Sequence, residues 1–384
     1  LRRRSGLKLA IVEPRDEHFY QPGWTMVGAG IFSFESTKRA EGPLIPRGAE
    51  WIRGAVASFS PETNRVVLED GREVGYAALI AAPGLKLDWE KIPGLSEALG
   101  KDGVTSNYRE GMASYTFELV QALKKGTAIF TMAPMPIKCA GAPQKALYLS
   151  CDHWRRQGVL KDIEVWFCNA NAALFGVADY VPALMEYIKS YGVRLELGEN
   201  LVAVDAAAKT ATFEKKAADG TASRVTRKYD FLHVCPPQTA HDFVKKSALA
   251  NAAGWIDVHQ ETLQHVKFPN VFALGDAAST ANAKTAAAVR KQAPIVADNL
   301  LAVLDKSPLT AKYTGYGSCP LTVERGKIVF AEFGYGGKLQ PTFPAWLIDG
   351  LKPTRNAWFL KEKLLPWVYW DVLLKGREWL PRSV

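Results

Sequence analysis

The sequence is short of the features that mark several large classes of protein. It has five cysteines in 384 residues: Cys139, Cys151, Cys168, Cys235 and Cys319. None forms a CxxC pair or any metal-ligand spacing, which argues against structural zinc and iron–sulfur clusters. An odd, scattered set is not the framework of a disulfide-stapled secreted domain either. No run of about 18 apolar residues occurs, so no transmembrane helix is expected. No Lys/Arg block is interleaved with aromatics, so nucleic acid is a poor partner. The six histidines lack zinc-ligand spacing and read as structural or surface residues. No internal repeat or low-complexity linker interrupts the chain.

What is present describes a globular chain. Hydrophobic residues make up 48% and charged residues 23%, ample for a core, and the length fits two to three domains. The net charge of +9 points to an anionic partner: a phosphate-bearing cofactor, an anionic substrate or lipid headgroups. A generally basic solvated surface explains the charge equally well.

Strands alternate with helices along the chain. Apolar runs at 7–12, 127–131, 163–168, 193–197, 231–234 and 271–274 read as strands. The stretches 115–123, 144–156, 181–190 and the Ala-rich 284–304 read as helices. Residues 50–82 read as a β-meander through 50–52, 65–68 and 77–81, with Asp70-Gly71 as a hairpin turn between the last two. Residues 202–213 and 225–229 add β-structure around a polar turn at 215–221. Alternation of this kind predicts an α/β fold with parallel sheets.

Two sites carry the mark of a dinucleotide fold. Glu13 follows the first apolar run, where a carboxylate at a strand's carboxyl end bonds the ribose hydroxyls of an adenosine. That residue normally lies about 20 positions beyond a glycine fingerprint, yet only 12 residues precede Glu13. The fingerprint, with its strand and first helix, is therefore expected upstream of Leu1. Downstream, Pro-Asn-Val-Phe-Ala-Leu-Gly-Asp at 269–276 delivers Asp276 from a buried strand, where it can accept hydrogen bonds from a ribityl chain. Leu79–Gly84 (LIAAPG) resembles the strand-plus-glycine segment that returns the chain to the pyrophosphate in two-dinucleotide-fold flavoproteins, with Gly84 allowing close approach.

A second glycine loop is missing. After the strand at 127–131 comes Met-Ala-Pro-Met-Pro-Ile-Lys-Cys-Ala-Gly-Ala-Pro, 132–143. Prolines remove amides that would cradle a second pyrophosphate. The strand at 163–168 ends in Asn169-Ala170-Asn171, without a carboxylate for a second ribose. A nicotinamide nucleotide is not expected to bind; a small electron donor is.

Four segments extend this reading. Ala10–Gly30 (AIVEPRDEHFYQPGWTMVGAG), Ile137–Leu149 (IKCAGAPQKALYL), Ala252–Ala287 and Tyr313–Pro320 (YTGYGSCP) resemble sulfide:quinone oxidoreductases of the mitochondrial and related bacterial type. The resemblance runs over essentially the whole chain. It implies two dinucleotide-binding, Rossmann-like domains that bind FAD, and a helical amphipathic C-terminal segment. The implied division is a first FAD-binding part at 1–124, a second dinucleotide-type domain at 125–240, a second FAD-binding part at 241–310, and a C-terminal redox-cysteine and membrane-associated region at 311–384. The family's redox cysteines fall on Cys139 and Cys319. Its FAD contacts fall on Glu13, Gln21, Val56 and Asp276, with Lys284 an addition beside Gly84.

The implied chemistry starts from a Cys139–Cys319 cystine that hydrogen sulfide opens by thiol–disulfide exchange. Cys319 becomes a persulfide, and Cys139 leaves as a thiolate facing the flavin. Its pKa should be depressed, with Lys138, Lys145 and a helix N-terminus near Pro143 as contributors. Electrons pass to a ubiquinone-type quinone, and the sulfur to glutathione, sulfite or another sulfide.

Residues 345–384 hold five of the eleven tryptophans, Trp346, Trp358, Trp367, Trp370 and Trp379. They read as two amphipathic helices split near Pro366 and ended by Pro381, suited to a bilayer interface. A helical cap on the core and a homodimer contact are the other uses of such a segment. The expected location is peripheral on a membrane: the mitochondrial inner membrane in a eukaryote, the plasma membrane in a bacterium. The competing functions are a type II NADH:quinone oxidoreductase and a truncated, non-catalytic relative.

Overall fold

A computed structural model describes residues 4–216 and 220–378. Trp379 and Pro381 fall outside the described residues, as does the middle of the turn expected at 215–221.

The largest sheet is parallel and five-stranded. Its order is Val104–Thr105, Phe231–His233, Gly126–Met132, Ile163–Asn169 and Arg194–Leu197. Both faces are covered, as parallel sheets require. Side chains alternate between the faces along a strand. Phe130, Phe167 and Phe231 pack with Leu147 and Trp154 of the helix Ala142–Arg156. Ile129, Cys168 and Leu232 point the other way, against Leu201 and Phe213. Those two belong to an antiparallel sheet of Glu199–Asp205, Thr210–Lys216 and Ala222–Lys228, which resolves the β-structure expected at 202–229 into three strands.

Two parallel pairs of strands build the other part. Leu9–Val12 pairs with Ala49–Ile52, and Leu79–Ala81 with Val271–Ala273. The meander expected over 50–82 is therefore narrower than its pattern implied. Only Val56–Ser60, Arg65–Leu68 and Glu73–Gly75 form an antiparallel sheet. The turn at Asp70-Gly71 joins the last two of these. The flanking apolar runs were drawn into parallel pairing by distant partners, and alternation alone does not show pairing direction.

The helix Ala286–Leu304 follows Asp276, with Thr285 as its N-cap accepting the Ala288 amide at 3.1 Å. Gly317–Glu324 and Lys327–Phe333 then form an antiparallel hairpin that lies on the helix Ala142–Arg156.

The C-terminal segment departs from expectation. Residues 355–373 form one continuous helical run rather than two helices split at Pro366. It is α-helical at Arg355–Phe359 and Leu365–Trp367, and wound as π-helix at Leu360–Leu364 and Val368–Leu373. Pro366 falls inside this run, where it supplies no N–H, and π-helical turns flank it on both sides. Trp358 and Trp370 are buried against the protein, whereas Trp346 and Trp367 are exposed. The segment is thus a packed cap on one side and an apolar surface on the other. No described helix is long and apolar enough to cross a membrane.

Candidate active site

The loop between the strand Gly126–Met132 and the helix Ala142–Arg156 carries Cys139 in the left-handed region, at φ 48°. A non-glycine residue stays there only when its surroundings hold it. The Cys139 amide donates to the Lys284 carbonyl at 2.8 Å, and the Cys139 carbonyl accepts from the Ala142 amide at 2.7 Å. The Tyr108 hydroxyl reaches the carbonyls of Lys138 and Cys139, at 3.2 and 3.3 Å. The Lys138 amide donates to the Gln238 side chain at 2.7 Å.

Cys319 arrives from the strand Gly317–Glu324 and is buried beside Cys139. Both are free thiols in this structure. Gly141 makes room for the second sulfur. A Cβ at that position would stand 2.3 Å from the Cys319 Sγ and 2.6 Å from the Leu321 Cδ2, inside any van der Waals contact. The helix end that would face a pyrophosphate in a nucleotide-binding loop faces a cysteine sulfur instead.

The electrostatics separate the two thiols. Lys145, buried on the first turn of its helix, donates to the Cys139 Sγ at 3.2 Å. Cys139 is held well below the ordinary thiol range by the hydrogen bond from Cys319. Burial opposes this, and the hydrogen bond and charge of Lys145 and the charge of Lys361 add to the lowering. Cys319 moves well up, because it faces the Cys139 thiolate and is buried. Burial alone would lower Lys145, but the two cysteines reverse this and hold it protonated. Lys361 has no such direct partner, and burial beside Lys145 brings it down to about 7. The pair is thus one thiolate and one thiol in contact, the reduced half of a two-electron couple.

On the other side of Cys139 lies a polar cleft. Lys138 donates to Gln21 at 2.6 Å. It also faces Asp276, whose carboxyl is raised by burial and only partly restrained by Lys138 and Lys284. Gln238 keeps a buried Nε2 with no partner. Asp276 and Gly84 come off the same end of adjacent parallel strands, since Ala81 is in register with Ala273. Gly84 sits at φ 76°, with open space where a Cβ would stand. An acidic group and an open glycine at one sheet end, with the orphaned Gln238 amide held at Lys138, fit a ribityl and pyrophosphate ligand. Glu13 and Val56 flank the neighbouring pair of strands, where the Glu13 amide donates to Ile52 and its carboxylate takes the Arg15 amide. No described contact joins these two to the Asp276 cleft.

Lys284 is placed differently from a simple cofactor contact. Its ammonium donates to the carbonyls of Asp276 and Ala278, at 2.8 and 2.9 Å, and lies 4.0 Å from the centre of the Trp255 ring. Burial lowers it to about 8. It braces the Asp276 turn with its side chain and the Cys139 loop with its carbonyl.

No protein-family profile matches the chain. Whole proteins do. The chain is 42% identical over 371 residues to the mitochondrial sulfide:quinone oxidoreductase of Dictyostelium discoideum, spanning 96% of this chain and 80% of that one. The chain belongs to the sulfide:quinone oxidoreductase family. The mitochondrial enzyme of Mus musculus is 38% identical over 377 residues, 98% of this chain and 83% of its own. Among solved structures, the sulfide:quinone oxidoreductase of Aquifex aeolicus superposes with a TM-score of 0.75 at 18% identity, over 96% of this chain and 86% of that one. A water-forming NADH oxidase from Lactobacillus brevis gives 0.58 at 16% identity, over 87% and 71%. At these identities the structural likeness speaks for the two-dinucleotide-domain α/β fold alone.

Three residues of this oxidoreductase-family site were not singled out from the sequence. Lys361 lay in the segment assigned to a membrane. Tyr108 sits in a turn and Gln238 on the short strand Gln238–Thr239, with no motif around either. Only the fold brings any of the three to Cys139. Among the six histidines, His18 and His233 make contacts within the fold. His18 bridges Glu41 and Tyr369 at 3.0 and 2.6 Å. His233, lowered to about 3 by burial, accepts the Asn107 amide.

Proposed function

We propose that this chain oxidises hydrogen sulfide and delivers the electrons, through bound FAD, to a ubiquinone-type quinone. The observation that carries the reading is the Cys139–Cys319 pair with Lys145 on one sulfur. In the oxidised pair, hydrosulfide attacks the Cys319 sulfur. A new S–S bond forms there, the bond to Cys139 breaks, and Cys139 leaves as a thiolate. Lys145 stabilises that leaving group at the moment its charge appears. The thiolate is then the side facing the Asp276–Lys138 cleft.

A small nucleophile such as glutathione or sulfite next takes the outer sulfur of the Cys319 persulfide, which leaves Cys319 as a thiolate. Re-forming the Cys139–Cys319 bridge releases two electrons. Asp276, Gln21, Gly84, Glu13 and Val56 would hold FAD, which would supply the two-electron link between the cysteine pair and a quinone that takes up two protons as it becomes quinol. Lys138 and Lys284 keep the cleft cationic and offset the charge that arrives with the electrons. Sulfide needs no nucleotide handle, in keeping with a helix end given over to a sulfur in place of a second pyrophosphate.

Quinone dissolves in bilayers, and the exposed apolar side of the C-terminal segment supports a peripheral seat on the mitochondrial inner membrane. The test is sulfide-dependent reduction of a water-soluble quinone by the flavin-loaded protein. Cys139→Ser and Cys319→Ser should each abolish it. An undiminished rate in Cys139→Ser, or flavin bleaching by NADH in place of sulfide, overturns the reading.

A further inference from the structure

A recess of about 360 Å³ opens where the turn of the hairpin Gly317–Glu324/Lys327–Phe333 meets the helix Arg355–Phe359. It is lined by Glu324, Arg325, Gly326, Lys327, Arg355 and Trp358. It lies outside the redox site. Its charge is lopsided. Glu324, the single acidic group, is already engaged by Arg155 at 2.9 Å and Lys327 at 2.8 Å. The side chains of Arg325 and Arg355 are exposed and have no partner among the described residues. Two free guanidiniums in one concavity match a phosphate or phosphodiester group.

What adjoins the recess says which phosphate. Arg355 and Phe359 are four residues apart on one helix, so they share a face one turn apart. Phe359 is 64% exposed. The Asn356 amide ties the same helix to the Leu347 carbonyl at 2.8 Å, which brings Trp346, 84% exposed, and Leu347 alongside. Leu351, 39% exposed, lies four residues before Arg355 in the chain. Exposed aromatic and aliphatic side chains gathered beside a cationic recess match the boundary between acyl chains and headgroups.

We propose that the Arg325–Arg355 recess is a binding site for the phosphate headgroup of an anionic phospholipid, with Trp346 and Phe359 inserted next to it. The inference rests on the bilayer reading of the C-terminal segment and adds to it a lipid preference and the residues that enforce it. Apolar insertion alone would bind neutral and anionic bilayers alike. The recess makes binding depend on headgroup charge and on salt.

The experiment is sedimentation of the full, flavin-loaded chain with vesicles of phosphatidylcholine, and with vesicles in which phosphatidylglycerol replaces part of it. The wild type should favour the anionic vesicles. The double variant Arg325→Gln/Arg355→Gln should lose about 30-fold of that preference, about fivefold per cation. It should keep the wild-type rate with sulfide and a soluble quinone. Lys246→Gln/Lys267→Gln removes the same charge from exposed positions elsewhere and should retain the preference. If the arginine variant keeps its anionic preference, or the lysine variant loses as much, the recess is not the site. Trp346→Ser/Phe359→Ser separates the two readings, because it should weaken binding to both kinds of vesicle. If it binds both as the wild type does, the bilayer reading itself falls, and the headgroup site with it.

Discussion

Replacing Lys145 with methionine should raise the Cys139 thiol and slow the opening of the bridge by sulfide. The ammonium stands 3.2 Å from the Cys139 Sγ; Lys145 is buried and Cys139 half-buried. A hydrogen bond to a buried charged group is worth about 1.5–3 kcal/mol, or about one to two pKa units at 1.36 kcal/mol per unit. The gain is trimmed by Lys361. Its lowered pKa comes from burial first and from Lys145 second, so removing Lys145 lets Lys361 hold its proton at neutral pH and stand in for the lost charge. Lys145→Met/Lys361→Met should therefore shift Cys139 by more than the two single changes added together.

The measurement is the rate of alkylation of Cys139 in the reduced protein against pH. The limb should move up in Lys145→Met, further in the double variant, and return in Lys145→Arg. If leaving-group sensitivity resembles the Brønsted coefficient of about 0.5 for thiolate attack, sulfide oxidation should fall about 3- to 10-fold. A limb that stays in place in both Lys145→Met and the double variant refutes the assignment of the thiolate to Cys139 by this ion pair.

Lys361→Met should also stabilise the fold, with a definite pH dependence. Its pKa falls from 10.5 unfolded to about 7 folded, so the unfolded chain binds the extra proton between those values. The penalty is absent above the unfolded pKa and complete below about 7. A gain on the order of 4 kcal/mol at pH 6, shrinking by pH 9, should appear as a rise in thermal midpoint. An equal gain at both pH values would count against the burial of a neutral lysine. Gly141→Ala should place a methyl against the Cys319 sulfur, cost about 1–3 kcal/mol of stability, and abolish sulfide turnover while flavin absorbance persists. Wild-type turnover in that variant would show that the contact is not needed. Tyr108→Phe should lower stability by about 1–2 kcal/mol, read by denaturant titration, and slow sulfide oxidation several-fold, because the loop loses the hydroxyl holding its carbonyls. Asp276→Asn should weaken flavin retention about tenfold on ultrafiltration, on the scale of one hydrogen bond to a charged group.

The sequence by itself determined the periodic parts of this protein. Apolar runs and their spacing located four of the five strands of the parallel sheet, Val104–Thr105 excepted, and the helices at 142–156, 181–190 and 286–304, often to within two residues, because burial on one or both faces writes a local period. The prolines of 132–143 told against a second nucleotide loop, since a missing amide is visible in the residue type. The resemblance named both cysteines and the family, to which the full-length relatives are a direct match.

Tertiary structure decided the rest. Pairing direction is a property of two distant segments, so the runs at 49–52 and 79–81 were misread as meander strands. The continuous helix through Pro366 depends on π turns that leave no sequence signal. Lys361 looks like any surface lysine of an amphipathic helix. Only the packing of that helix over Pro22, to whose carbonyl the Lys361 Nζ donates at 3.3 Å, carries it to the cysteines. For the thiols, the sequence reading already had Cys139 as the thiolate with Lys145 as a contributor, and the fold added Lys361 and the contact with Cys319. Charge type can be read from a sequence, but which charge stands beside which sulfur is set by distances across the fold.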